Sequence, residues 1–272
     1  MKTACLFLTW NSVTLLQNSI GRLQSLLPDL AIIVVDNGST DGSVALIRER
    51  WPRVELMPLA HNTGFAGGNN VGLKAAIRLG FEAVFLLNTD VIIDEDFITP
   101  CVERLRRDAT IGVIGPTVLE AYEANVIQCE GARIIPLTLN FDYRRIREPF
   151  VRRDELVDVG YVLGASMLIR REVIEQIGYL DEEFYPAYVE EADFCYRAKR
   201  AGFRSVVHQG SAIRHIGAQS SGGNQLAFNR LSRQRFYFGI KHLGPCAFLI
   251  GSIAVVARVF YWKCRARLTK RD

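Results

Sequence analysis

An apolar run, Phe85-Leu86-Leu87, ends abruptly in Asn88-Thr89-Asp90. A buried strand that stops this way sets an amide and a carboxylate at its carboxyl end, where open α/β sheets bind ligands. Hard divalent cations take oxygen ligands, so Asp90 is the first candidate to hold one, with Asn88 beside it. Alone, the tripeptide reads more readily as a turn, because Asn and Asp bond to nearby backbone. A second chemical stretch, Glu190-Glu191-Ala192-Asp193, opens a helical pattern that ends in Arg197, Lys199 and Arg200. Acids in the first turn and bases in the last complement the helix dipole, so a structural explanation stands beside a catalytic one.

The elements that must position these groups follow from periodicity. Ala4 to Thr9, Ala31 to Val35, Val54 to Leu59 and Ala83 to Leu87 read as strands. Helical patterns separate them: Leu15 to Leu27, the stretch carrying Val44, Leu46 and Ile47, and Val71 to Leu79. Polar loops follow the strands, Trp10-Asn11 after the first and Asp36-Asn37-Gly38-Ser39-Thr40-Asp41-Gly42-Ser43 after the second, where Asp41 or Ser43 caps the next helix. The third loop is His61-Asn62-Thr63-Gly64-Phe65-Ala66-Gly67-Gly68-Asn69-Asn70. Such alternation predicts a mostly parallel, doubly wound sheet whose loops converge on Asp90. A helix from Phe97 to Arg107 and a short strand near Val113 come next. Periodicity is lost from Glu120 to Arg153 and returns with a regular stretch over Val157 to Leu163. A helix from Arg171 follows, with Gly178 as its cap.

With these loops in place the chain resembles the inverting glycosyltransferases of family two, with the GT-A nucleotide-diphospho-sugar transferase fold. The segment from Asn62 to Asn70 is similar to the rhamnosyltransferase-like branch. The resemblance spans roughly Thr3 to Ser221. It implies that Thr9, Trp10, Asn11 and Asp36 line the base and ribose of a nucleotide-sugar donor, Asp36 accepting from the pyrimidine imide. Asn37, Ser39 and Asp41 shape the same pocket or act as turn and cap residues, and Asn62 is a further donor-binding candidate. Gly64, Gly67 and Gly68 offer close backbone approach, Phe65 and Asn69 reach sugar or ribose, and Gly164-Ala165-Ser166 floors the donor.

The resemblance also places Asn88, Thr89 and Asp90 at the metal motif, with His215 as a further ligand to Mn²⁺ or Mg²⁺. Glu190-Glu191-Ala192-Asp193 falls on the acidic motif, whose second residue is the general base and is usually Asp. Here that residue is Glu191; Glu190 is an alternative base, and Asp193 a supporting group. The implied reaction is a single displacement: the base takes a proton from an acceptor hydroxyl, which attacks the anomeric carbon as the nucleotide diphosphate leaves. L-Rhamnose from dTDP-rhamnose is the expected donor, a UDP-sugar the alternative, and a glycan or polyprenyl-linked precursor the acceptor. A catalytically silent sugar-nucleotide scaffold is the competing class.

At 272 residues the chain has ample length for one large domain with an appendage, and a formal charge of +4 is too small to argue for nucleic acid. Cysteines at 5, 101, 129, 195, 246 and 264 form no C-x-x-C pair, which suits a reducing cytosol. The opening apolar run is too short for a signal peptide. Residues 1–222 are expected to form the transferase domain and 223–272 a C-terminal helical region. There, Cys246 to Trp262 is nearly all apolar, followed by Lys263, Arg265, Arg267, Lys270 and Arg271. Such a stretch suits the cytoplasmic surface of the inner membrane, entered peripherally or monotopically, or docking on the catalytic domain or the second copy of a homodimer.

Overall fold

The computed structural model describes residues 1–135, 139–217, 224–245, 249, 251–253 and 256. Its strands are β1 (Thr3–Thr9), β2 (Ala31–Asp36), β3 (Glu55–Pro58), β4 (Ala83–Asn88), β5 (Val91–Ile92), β6 (Ile111–Glu120), β7 (Ile127–Cys129), β8 (Ala132–Ile135), β9 (Asn140–Tyr143), β10 (Leu156–Asp158), β11 (Ser166–Arg170) and β12 (Arg204–His215). Its helices are α1 (Arg22–Leu26), entered through a π-helical turn at Gln17–Gly21, α2 (Ser43–Arg50), α3 (Gly64–Arg78), α4 (Ile98–Arg107), α5 (Arg171–Ile177), α6 (Glu190–Arg200) and α7 (Asn224–His242).

The main sheet runs β10-β12-β6-β11-β4-β1-β2-β3, with β5 added to β12 and β7 to β6. Pairs β1·β2, β1·β4, β2·β3 and β6·β12 are parallel. The exception inside the sheet is β11, antiparallel to both β4 and β6. Strand residues alternate between two buried clusters. Leu6, Val35, Leu86 and Met167 pack on one face with Leu73 of α3, Phe194 of α6 and Phe238 of α7. Cys5, Phe7, Val34, Phe85 and Leu168 pack on the other with Leu23 of α1, Ile47 of α2 and Cys101 of α4. A sheet covered on both faces accounts for strands that read as continuous apolar runs.

Several expectations need correction. The glycine-rich segment is not a loop throughout: α3 begins at Gly64. Its glycines are packing residues, since a Cβ at Gly68 would fall 2.4 Å from Leu8 Cδ1 and one at Gly72 2.3 Å from Leu6 Cδ1. Helix and strand therefore approach more closely than any side chain allows, and the gain in packing offsets the low helix propensity of glycine. Strand structure near Val157 covers only Leu156–Asp158, and the strand at Val113 extends over ten residues. The unreadable stretch after Glu120 contains β7 and a separate hairpin of β8 with β9. Asp41 caps α2 from a distance, accepting from the Ser43 N–H at 3.0 Å and the Val13 N–H at 2.8 Å, while Gly42, at φ 91°, occupies the cap itself.

Helix α7 lies wholly beyond the expected boundary at 222 and is packed into the core. Phe238 is fully buried, edge-on to Phe141 at 6.1 Å and to Tyr196 at 5.4 Å. Most of the apolar stretch Cys246 to Trp262, and the whole basic tail after it, lie outside the described residues. Among the described residues no helix is long and apolar enough to cross a membrane. The described cysteines, 5, 101, 129 and 195, are buried and unpaired.

Candidate active site

Register assembles the first half of the site. Thr9 pairs with Asp36 across β1 and β2, and Leu8 pairs with Asn88 across β1 and β4, so these three carboxyl ends stand level. Asp36 is 1 % exposed; its Oδ2 accepts from the Ser39 N–H at 2.9 Å, while Oδ1 has no partner. The hydroxyls of Thr9 and Ser166 are likewise buried and unpartnered. Three acceptors left free at adjacent strand ends form a polar floor, because buried oxygens ordinarily find donors.

The loops above that floor are lashed to one another. The Asn11 N–H donates to Ser39 Oγ at 2.8 Å and Asn11 Oδ1 accepts from the Thr40 N–H at 2.8 Å, leaving Trp10 on the rim, 45 % exposed. Asn37 faces inward: its amide donates to Asn62 Oδ1 and Gly64 O at 3.1 Å, and its oxygen accepts from the Thr63 N–H at 2.8 Å. Asn62 in turn accepts from the Gly64 N–H. Asn69 is buried and bonds to Phe65 O within α3. Asn37, Asn62 and Asn69 thus brace the loops and the start of α3.

A β-bulge completes the second half. Between His208 and Ala212 the register of β12 against β6 slips, after which Ala212 to His215 pair with Thr117 to Glu120. The bulge is fixed by buried His208, whose ring nitrogens meet Ser211 Oγ at 2.8 Å and Asp154 Oδ1 at 3.1 Å. Beyond it β5 pairs with β12, Val91 opposite His215, and the Ile216 N–H donates to Asp90 O at 2.9 Å. His215 Nε2 thereby lies 3.4 Å from Asp90 Oδ1, a buried oxygen with no hydrogen bond. Burial pushes the Asp90 carboxyl up, but His215, the backbone N–H of Asp90 and the Asn88 side chain more than reverse that and lower it. The Asn88 side chain thus stands close enough to Asp90 to favour its ionised form.

An orphaned carboxylate oxygen facing an imidazole nitrogen fits a divalent cation. No group of three or more His, Cys, Asp or Glu side chains suited to a metal occurs among the described residues. Protein would thus supply Asp90 and His215, leaving the other positions to ligand oxygens and water. Thr89, between Asn88 and Asp90, is buried at 6 % exposure.

The acidic motif enters from α6. Its approach passes through Tyr188 at φ 84° and Val189 at φ 77°, two successive left-handed residues, the second β-branched and buried. Such conformations cost on the order of 1–3 kcal/mol each and persist where packing overdetermines them, as at functional sites. A Cβ at Gly164 would meet Phe65 Cζ at 3.3 Å and Glu191 Cβ at 3.6 Å, which shows how closely the three segments meet. The neighbouring Ala165 carbonyl accepts from the Asn88 N–H at 3.0 Å, linking Glu191 to the Asp90 side of the site.

Within α6 the three acids differ. Glu190 is 3 % exposed with an unpartnered Oε2; burial and the adjacent Glu191 charge push its carboxyl well up. Glu191 is half-buried, and burial raises it to about 7 against the opposing effect of its own N–H and that of Val189. Asp193 is fully buried but accepts from Arg197 Nε at 2.8 Å, Lys241 Nζ at 2.7 Å and His242 Nε2 at 2.6 Å. Burial would raise it; His242, Arg197 and Lys241 together hold it at about 2.

Four contributors escaped the sequence reading. Gln128 of β7, bonded to His215, lies in the aperiodic stretch and gave no signal. Lys241 and His242 had a weak one, since a buried Asp193 requires cations somewhere in the chain. Tyr161, 2 % exposed and edge-on to Tyr143 at 6.3 Å, walls the region of Glu191, whose charge acts on both hydroxyls.

Comparison with known proteins agrees with this geometry. Residues 14–236 match the family described as glycosyltransferase like family 2. The N-acetylglucosaminyl-diphospho-decaprenol L-rhamnosyltransferase of Mycobacterium tuberculosis is 26 % identical over 214 residues, covering 71 % of this chain and 68 % of the relative. The low-salt glycan biosynthesis hexosyltransferase of Haloferax volcanii is 29 % identical over 192 residues, covering 68 % of this chain and 58 % of its own length. Among solved structures, the Pyrobaculum calidifontis mannosyltransferase PcManGT in complex with GDP-Man and Mn²⁺ superposes with a TM-score of 0.63 at 16 % identity, over 93 % of this chain and 69 % of that one. The TarS structure of S. aureus shares the fold at a TM-score of 0.61 over 91 % of this chain and 41 % of that one, with 17 % identity. With the family matched from the first polar loop into α7, and free carboxylates where its motifs stand, the chain belongs to glycosyltransferase family 2 and is a glycosyltransferase of the GT-A fold.

Proposed function

We propose that this enzyme transfers L-rhamnose from dTDP-rhamnose to a polyprenyl-diphosphate-linked glycan precursor, with inversion and with a divalent metal. The observation that carries the reading is a set of three buried acidic oxygens without hydrogen bonds, Asp36 Oδ1, Asp90 Oδ1 and Glu191 Oε2. Each suits one task. Asp36 accepts the imide N–H of a pyrimidine base, a donor that a carboxylate matches. Asp90 and His215 hold the cation, which when bound neutralises charge on the departing diphosphate. Glu191 takes the proton of the acceptor hydroxyl, and a carboxyl raised to about 7 is matched to that work near neutral pH. Glu190, more buried and with its carboxyl pushed well up by burial and by the adjacent Glu191 charge, is the weaker base candidate.

The sugar and acceptor rest on the Mycobacterium relative, whose name joins an L-rhamnosyl donor to a decaprenyl diphosphate acceptor. A lipid-linked acceptor agrees with an apolar stretch and basic tail after α7 that reach the cytoplasmic surface of the inner membrane. Leu249, Ile253 and Val256, all about 60 % exposed, stand at helical spacing there. On this reading the C-terminal region begins after His242.

The decisive assay measures initial rates of nucleotide release with dTDP-rhamnose, UDP-glucose and GDP-mannose on a short-chain polyprenyl-diphosphate N-acetylglucosamine acceptor, with Mn²⁺ or Mg²⁺. Transfer from dTDP-rhamnose with inverted anomeric configuration is expected, with free dTDP competing better than UDP. Faster transfer from UDP-glucose overturns the donor assignment, and no transfer from any donor overturns the reading. Deleting residues 246–272 moves the enzyme from membrane to soluble fraction; a truncation that still pellets removes the tail's role and points to docking or a homodimer instead.

A further inference from the structure

Gln128 lies outside the motifs, yet two of its three contacts fall on the histidine that faces Asp90. Its Nε2 donates to the His215 backbone carbonyl at 3.1 Å and to Glu120 Oε2 at 3.3 Å, and its Oε1 lies 2.8 Å from His215 Nδ1. The two acceptors around Nε2 fix the amide's orientation. Turned over, it would set its oxygen against a carbonyl and a carboxylate and its NH₂ against the ring. With Oε1 held toward the imidazole, Nδ1 must carry the proton, because two acceptors do not bond. In the neutral ring the lone pair then belongs to Nε2, which points at Asp90 Oδ1.

We infer that Gln128 is a positioning residue for the metal site: it fixes His215 in the Nδ1–H tautomer and aims the Nε2 lone pair at the cation shared with Asp90. The inference rests on the metal-dependent reading above. It also explains why β7 pairs where it does. Val118 opposes Cys129 and Leu119 opposes Ile127, with a register shift between them, so the chain between Ile127 and Cys129 holds Gln128 beside the end of β6. Glu120, opposite His215 in the β6·β12 ladder, is the third corner of the arrangement. Metal-bound histidines generally depend on such a partner at the other ring nitrogen, and removing it costs about 10–100-fold in metal affinity.

The test compares wild type, Gln128→Leu, Asp90→Ala and His215→Ala as full-length proteins. Mn²⁺ binding is followed by electron paramagnetic resonance in the presence of dTDP, and histidine tautomers by two-bond ¹H–¹⁵N correlation in metal-free protein at alkaline pH. Wild-type His215 is expected as the Nδ1–H tautomer. Gln128→Leu weakens Mn²⁺ about 10–100-fold while leaving dTDP binding without metal unchanged. An Nε2–H tautomer in the wild type overturns the inference, a result available even where the Leu variant does not fold. A folded Gln128→Leu protein with wild-type Mn²⁺ affinity also overturns it, provided Asp90→Ala and His215→Ala weaken the ion. Should those two variants bind Mn²⁺ as wild type does, the metal-site reading itself fails.

Discussion

Glu191 and Asp193 sit two residues apart in one helical turn, and the protein treats them in opposite ways. Asp193 is given three side-chain donors from α6 and α7 and is held at about 2. Glu191 receives only backbone N–H groups at the strained entry to α6 and is raised to about 7. Like carboxylates whose surroundings drive them apart divide the labour between structure and chemistry. Asp193 anchors: Arg197 also donates to the Ile177 and Tyr179 carbonyls, and Lys241 reaches Asp181 Oδ2 at 2.7 Å, so four segments meet at one carboxylate. Glu191 is left half-exposed toward Phe65 and Gly164.

The sharpest way to break this division is Glu191→Gln. Removing the base while keeping shape is expected to lower kcat by about 10²–10⁴-fold, with dTDP affinity unchanged by calorimetry. A loss below tenfold would move the base to Glu190. Asp193→Asn tests the other side. Uncoupling a buried carboxylate from its cations costs roughly 3–5 kcal/mol, so thermal unfolding should fall by about 10 °C, with a smaller effect on kcat than the Glu191 change. Equal stability with kcat abolished would make Asp193 the chemical residue.

The pH profile separates the two without mutation. The base works deprotonated, so kcat/KM should climb with unit slope up to about pH 7 and then level. Their stability contributions have opposite signs. Glu191, raised from 4.5 to about 7, keeps its proton longer folded than unfolded, so its contribution falls as pH rises through that interval. Asp193, lowered from 3.8 to about 2, contributes stability that is complete above 3.8 and disappears as pH falls through about 2. Tyr143, Tyr161 and Cys129 stand near Glu191 and are raised by burial, so they stay protonated across the neutral range, and Glu190 beside it is pushed well up. Urea unfolding at a series of pH values reads both slopes.

The same pair shows what the sequence conveys. Strands β1, β2 and β4, and the acids at their ends, were legible because burial on both faces writes long apolar runs and the polar break that follows is local. Antiparallel β11 was not, since strand direction leaves no mark on a five-residue apolar segment. Gly68 and Gly72 were visible as glycines, but their work, admitting Leu8 and Leu6 of β1 against α3, depends on a packing distance. Glu191 and Asp193 read alike as first-turn acids. What distinguishes them lies at Lys241 and His242, nearly fifty residues away along the chain. Gln128 depends on a register shift at β7 that composition does not encode.

The smallest expected effect probes how rigidly the anchor transmits to the base. Tyr237 stacks edge-on with Phe184 at 4.8 Å and its hydroxyl donates to Asp181 Oδ2 at 3.1 Å, the oxygen that also accepts from Lys241. Burial and the Asp181 charge push its pKa up to about 12, so it remains a donor at any working pH. Tyr237→Phe removes that donor and keeps the ring, while Lys241 still bridges Asp181 to Asp193. A single hydrogen bond of this kind contributes about 0.5–1.5 kcal/mol, so thermal unfolding should shift by only a few degrees and kcat should hold. A severalfold fall in kcat, with the pH midpoint of the rate displaced from about 7, would mean that Asp181, Lys241 and Asp193 set the orientation of Glu191 as well as the stability of α7. Anchor and base would then be one device.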